Sequence, residues 1–229
     1  MFGTLFVVAT PIGNLGDMTA RGRQTLQDVE AVFCEDTRVT GKLLAHFEIR
    51  KPLHSLHEHS GEAGVQKALD LLVAGKSVAY TSDAGTPGVN DPGGKLVAAC
   101  FKVGIPVCPI PGPSALTAAI SVCGFPMDEF TYEGFVPHKK GRERLFQTMA
   151  ARKTPSIFFE TTHRIEKTLD QLEPIMGPSR LLFCGRELTK MHETLYRGTV
   201  AEVKEAFSKT SSKGEYVLIL GPDPKKLTS

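Results

Sequence analysis

Several features are scarce in this sequence, and each scarcity excludes a class of protein. No apolar run approaches the roughly 18 residues a membrane span requires, so no spanning helix is expected. The first residues, MFGTLFVVATPIGN, carry no basic segment ahead of their apolar stretch, which argues against a signal peptide. Neither G-x-x-x-x-G-K-[ST] nor, after the first apolar run, G-x-G-x-x-G occurs, which speaks against a nucleoside triphosphate and a typical nicotinamide cofactor. The five cysteines (Cys34, Cys100, Cys108, Cys123, Cys184) are far apart in apolar surroundings. They read as buried thiols of a reducing compartment rather than a disulfide framework or zinc site, so the expected address is the cytoplasm. A net charge of +2 is too small to indicate a nucleic-acid partner without local clustering.

What is present is ordinary globular composition, 41% hydrophobic and 23% charged, over 229 residues. That length suits one large domain or two of roughly 100 residues. Short apolar runs at 5–9, 31–35, 77–82 and 105–110 read as buried strands. Between them, Val65, Ala68, Leu69, Leu72 and Val73 fall on one helical face, with Gly75 as a stop. Asp91-Pro92 offers an N-cap and a first-turn proline for a further helix. Residues 114–124 are apolar nearly all round and read as a buried helix. Strands joined by helix-length crossovers imply a largely parallel sheet. Beyond GFPMDEF, strands are expected at 131–136, 156–160, 180–184, 193–198 and 216–220, with helices at 141–152, 163–173 and 199–207. The domain boundary is placed near Gly124–Phe125, giving an α/β domain over 1–124 and a second over 125–229.

Four unusual turns follow strands of the first domain: TPIGNLGD (10–17), EDTR (35–38), SDAGTPGVND (82–91) and PGPSA (111–115). Ligands of parallel α/β sheets bind beyond the carboxyl ends of strands, so these turns mark one edge as a site. Glycine there permits close backbone approach, and a valine at Gly85 is expected to abolish binding while leaving the fold intact. Asp17, Asp83 and Asp91 oppose a phosphate chain and suit a ligand with cationic parts, such as S-adenosylmethionine.

The segments VVATPIGNLGDMT, CEDTRVTGKLL, SDAGTPGVNDPG, PIPGPSALTAA, YEGFVP, ETTHR, RELTKMHE and KGEYVLIL occur in that order across residues 4–220. In these the chain resembles the tetrapyrrole-methylase superfamily, and within it the cytidine 2′-O-methyltransferases of small-subunit ribosomal RNA. The resemblance implies a two-domain tetrapyrrole-methylase-like α/β fold, each domain with its own sheet. It also implies a cleft between them for S-adenosylmethionine, and a homodimer acting on a cytidine of the decoding region in the small subunit or its RNA. Longer members continue past the final strand, so an extension that aids RNA binding is expected to be missing.

Carried over by position, Pro11, Ile12 and Gly13 would lie along the cofactor, and Asp83, Ala84, Gly85 and Thr86 would hold its methionine portion. Asn90 and Asp91 would shape that loop, Ser114 and Ala115 would line it, and Phe135 and Pro137 would reach the adenosine. A ribose hydroxyl is a poor nucleophile until its proton leaves, so a general base is expected among Asp36, Glu35 and Glu160. Asp36 also reads as a plain helix cap. Arg38, Arg164 and Arg186 are expected to steady RNA phosphate. So are Lys139, Lys140 and Arg142 in PHKKGRERLFQTMAARK, which has six lysines and arginines to one acid and reads equally as a solvated helix face. His54, His57 and His59 could suggest a metal, yet the electrophile already carries positive charge, so none is expected; the resemblance, which extends to His57–Glu58–His59, implies a polar role toward substrate. Two other classes stand beside this reading: a methyltransferase of a small molecule such as a tetrapyrrole, and a non-catalytic ribosome-assembly module that binds RNA.

Overall fold

The computed structural model describes residues 1–56 and 61–222, which fall into two compact units, Met1–Ser114 and Ala115–Ser229. Among the described residues, each unit has one five-stranded sheet. The first unit runs β1 (Leu5–Val8), α1 (Ala20–Asp28), β2 (Ala31–Cys34), α2 (Thr37–His46), β3 (Leu53–Ser55), α3 (Gly61–Val73), β4 (Val78–Thr81), α4 (Gly93–Val103) and β5 (Val107–Ile110). Its strands lie in the order β3-β2-β4-β1-β5, all parallel as expected.

The apolar runs form strands because both faces of the sheet are covered. Strands β2 and β4 are buried throughout. Successive residues serve opposite layers: Ala31, Phe33, Val78 and Tyr80 pack with Leu72 of α3 and Leu96 of α4, while Val32 and Ala79 pack with Leu26 of α1 and Leu44 of α2. From β1 the chain moves outward to β2, whereas from β4 it crosses β1 to reach β5. The sheet therefore reverses direction between β1 and β4, and the crevice beyond their carboxyl ends is where such folds hold ligands. Strand β3, three residues long and only partly buried, has no apolar run to announce it. Helix α4 begins one residue later than expected, with Pro92 itself as the N-cap.

The second unit contains α5 (Ala115–Cys123), β6 (Thr131–Phe135), α6 (Arg142–Ala151), β7 (Ser156–Thr161), α7 (Ile165–Met176), β8 (Leu181–Arg186), β9 (Thr194–Thr199), α8 (Val200–Ser208) and β10 (Glu215–Leu220). The order is β6-β7-β10-β8-β9, with β6 and β7 parallel and the other pairs antiparallel. Its core joins Phe146 of α6, Leu169 and Leu172 of α7, and Val203 of α8 to Phe158, Leu182 and Leu218 of the sheet.

Two readings from sequence are revised here. The division between units precedes α5 rather than falling near Gly124–Phe125, because α5 packs against β10. Nor is α5 buried all round: only Ala119 and Cys123 are enclosed and Val122 is 47% exposed. Its exposed side carries Thr117, Ser121 and Val122.

Candidate active site

The four turns all leave the carboxyl ends of first-unit strands, and the third of them, 82–91, is fastened to the other three. Thr10 and Gly85 form an antiparallel bridge that ties it to the turn after β1. Asp83 Oδ1 accepts the backbone N–H of Asp36, after β2, at 2.9 Å. Thr86 Oγ1 donates to the Pro113 carbonyl, after β5, at 2.9 Å. Gly112 lets that last turn close on β1, since a Cβ there would lie 3.1 Å from the Cβ of Ala9. The sheet thus ends in one connected backbone surface.

Inside the third turn, Asp91 is the organiser. Its Oδ2 accepts the N–H groups of Gly88 (2.5 Å) and Val89 (3.0 Å), and its Oδ1 accepts that of Gly93 (2.9 Å) and the Tyr80 hydroxyl (3.2 Å). These bonds hold Asn90 in the left-handed region at φ 64°. Gly85 is buried at φ 82°, and a Cβ on it would meet Ile12 at 3.3 Å. The expectation that Gly85 provides access without a role in folding is therefore revised: both its conformation and its backbone bonds are structural. Pro11, Ile12, Asp83 and Thr86 are half-buried around this surface, Ser114 and Ala115 likewise, and Gly13 and Ala84 are exposed.

The acids at this edge differ sharply. Asp36 caps α2, its Oδ1 taking the Arg38 N–H at 2.8 Å, and its Oδ2 pairs with the Arg38 guanidinium at 2.6 Å. Hydrogen bonds from Arg38, side chain first, draw its carboxyl down to about 2. Glu35, half-buried beside it, is raised above its ordinary value by burial and then by the charge of Asp83, with Asp91 and Asp36 adding to it. Asp83 is raised too, mainly by burial. A carboxylate held near the bottom of its range is a weak proton acceptor; one pushed up is a stronger one. Arg38 itself is 86% exposed at its side chain, bound to Asp36.

In the second unit the structure departs from the sequence reading. Glu160 is 1% exposed and bonded to Arg142 and Arg164, so it forms a buried ion network instead of an open acid at a strand end. Arg142 (4% exposed) is spent on that network and on Gln171, Thr168 and the Pro137 carbonyl. Arg164 donates to Glu160 and to the Val136 carbonyl, and Arg186 (8% exposed) to the Lys213 carbonyl at 2.8 Å. Neither Arg142, Arg164 nor Arg186 offers its charge to solvent as a phosphate contact would. Lys139, Lys140 and Arg144 are exposed. Phe135, 51% exposed, packs edge-on to Phe159 at 5.5 Å, and Pro137 is half-buried.

His54 lies on β3 beside Phe33, while His57, Glu58 and His59 fall outside the described residues. Among the described residues no group of three His, Cys, Asp or Glu is placed to hold a metal, and no helix is long and apolar enough to cross a membrane. Thr10, Tyr80 and Thr168 were not legible as site or support residues. Tyr80 sits in an apolar strand run, and nothing local shows where its hydroxyl ends.

This architecture has solved counterparts. It superposes on a uroporphyrin III C-methyltransferase of Thermus thermophilus with a TM-score of 0.65 at 19% identity, covering 96% of this chain and 97% of that one. A cobalt precorrin-4 methyltransferase of cobalamin biosynthesis gives 0.69 at 17% identity, covering 95% and 94%. At such identities the likeness concerns the fold alone. Residues 4–204 match the family of Tetrapyrrole (Corrin/Porphyrin) Methylases, and the chain belongs to that family. Among its relatives it is 47% identical over 219 residues to the ribosomal RNA small subunit methyltransferase I of a Synechocystis strain, covering 95% of this chain and 78% of the relative. It is 43% identical over 218 residues to the protein of the same name from Thermotoga maritima, covering 95% and 98%.

Proposed function

We propose that this chain is an S-adenosylmethionine-dependent methyltransferase acting on the 2′-hydroxyl of a cytidine in the decoding region of small-subunit ribosomal RNA. Its kinship with ribosomal RNA small subunit methyltransferases I, at 43–47% identity over 95% of the chain, carries the reading. The edge of the first sheet suits the cofactor. Its third turn, residues 82–93, has aspartates and backbone groups and no lysine or arginine, which fits a compact ligand with an ammonium and a sulfonium better than a phosphate chain.

Bound there, S-adenosylmethionine supplies an electrophilic methyl on sulfur. Transfer of that methyl to the ribose oxygen would require a group of this chain to take up the hydroxyl proton. Asp83 and the 84–86 backbone are the proposed hold on the methionine portion, flanked by Pro11, Ile12, Gly13, Ser114 and Ala115. Asn90 and Asp91 fix the loop, and Phe135 and Pro137 are the proposed adenosine contacts. Glu35 is the favoured proton acceptor, since burial and neighbouring carboxylates raise its basicity while Arg38 lowers that of Asp36. Lys139 and Lys140 are the proposed phosphate contacts, together with Arg38. The reading includes a cytoplasmic address, which action on the small subunit would require, and a homodimer, as the family resemblance implies.

The decisive experiment incubates the protein with labelled S-adenosylmethionine and small subunits lacking this modification, then maps the label. Label on one cytidine ribose of the decoding region is expected. Label on a tetrapyrrole offered in parallel, with none on RNA, would overturn the assignment.

A further inference from the structure

The basic run after β6 enters and leaves its loop at a single buried carboxylate. Glu160, the penultimate residue of β7, has a fully enclosed side chain. Its Oε1 accepts from Arg164 Nε at 2.6 Å and from the Thr161 backbone at 2.9 Å; its Oε2 accepts from the Thr168 hydroxyl at 2.7 Å and from Arg142 Nη1 at 3.3 Å. Each arginine extends this hold to the loop. Arg142 Nη1 also donates to the Pro137 carbonyl at 3.2 Å, and Arg164 Nη2 donates to the Val136 carbonyl. Val136 and Pro137 begin the loop and Arg142 ends it, so both ends are fastened to Glu160. Between them lie His138, Lys139, Lys140 and Gly141, all exposed, with Gly141 at φ 87° turning the chain into α6. Exposed Arg144 follows in the first turn of that helix.

Stability alone is a poor reason for this arrangement. Two guanidinium groups face one carboxylate in a nearly dry interior, and apolar residues of similar volume commonly hold a fold as well or better. What such a network supplies is a single backbone conformation. A flexible lysine loop loses conformational freedom when it grips phosphates; a loop ordered in advance loses less.

We propose that Glu160 is a positioning residue for RNA: acting through Arg142 and Arg164, it holds the 137–141 loop in the one conformation that presents Lys139 and Lys140 together to backbone phosphates. The proposal rests on the reading of the chain as an RNA methyltransferase. The two arginines that look like phosphate ligands in the sequence are thereby the internal supports of the two lysines that are.

Thr168 provides the test, because Thr168→Val removes one partner from both Glu160 and Arg142 without changing shape, and Thr168→Ser retains the hydroxyl. A Glu160→Gln variant, which strands two buried cations, is avoided because it endangers folding. With unmodified small subunits as probe, Thr168→Val is expected to raise KM for the subunit roughly tenfold with kcat close to wild type, alongside a lower Tm because it leaves buried groups of Arg142 and Glu160 short of a partner. Thr168→Ser should restore the wild-type KM. The pair Lys139→Gln and Lys140→Gln, made together, should flatten the dependence of log affinity on log salt by about 1.4–1.8 units. If the lysine pair weakens binding but Thr168→Val leaves KM unchanged, or lowers kcat by as much as it raises KM, the positioning role is wrong. If the lysine pair changes neither affinity nor salt slope, the loop is not an RNA contact and the proposal falls with it. Failure of the wild-type protein to methylate small subunits would instead remove the underlying reading.

Discussion

Thr10 and Gly85 exchange both of their backbone hydrogen bonds, each N–H reaching the other's carbonyl at 3.0 Å. They follow β1 and β4, the strands between which the sheet changes direction, so the bridge clasps the very point where a ligand crevice opens. The glycine is there because its φ of 82° is costly for any side chain.

Gly85→Val should therefore lose both stability and cofactor affinity. Strain at a left-handed position is worth about 1–3 kcal/mol, to which the close approach to Ile12 adds. Chemical denaturation and calorimetry measure the two losses; wild-type stability with lost binding would return Gly85 to a pure access role.

The two neighbouring acids should separate cleanly. Glu35→Gln is expected to slow single-turnover methylation by about 10²–10⁴-fold at saturating cofactor, the usual contribution of a general base. Asp36→Asn, which keeps a capping side chain, should cost less than about tenfold. The reverse order would move the base to Asp36.

The pH dependence follows from the directions of these shifts. Glu35 must be ionised to accept a proton, and its value is raised, so the single-turnover rate should climb with pH through a midpoint above the ordinary glutamate value of about 4.3. Asp36 behaves oppositely: its carboxyl is lowered to about 2, so its stabilising effect is present above the unfolded value of about 3.9 and is lost as pH falls through about 2. Acid unfolding curves of Asp36→Asn should lack that component. An unchanged rate profile in Glu35→Gln would contradict the first expectation.

Glu160→Gln should destabilise the second unit by roughly 3–5 kcal/mol, because it leaves Arg142 and Arg164 buried without their counter-charge. Replacing an open surface acid would change stability by only a few tenths of a kcal/mol. Denaturant titration distinguishes these directly.

By itself the sequence determined the parallel sheet of the first unit and the edge at which its turns gather. Unbroken apolar runs such as AVFC and VAYT require cover on both faces, and that cover demands helical crossovers, which put every strand's carboxyl end on one side. The glycine-rich composition of residues 82–93 followed from local conformation, so it was visible too. Only the tertiary structure decided what the charged residues do. Arg142 meets Glu160, Thr168 and Gln171 at separations of 18, 26 and 29 residues, contacts that exist only once α6, β7 and α7 are packed. Within its own segment Arg142 looks the same as Arg144, yet one is enclosed and the other exposed. The same holds for Glu35 and Asp36: adjacent in sequence, they are driven to opposite basicities by burial on one side and an arginine on the other, since charge responds to its surroundings in space and those are assembled by the fold.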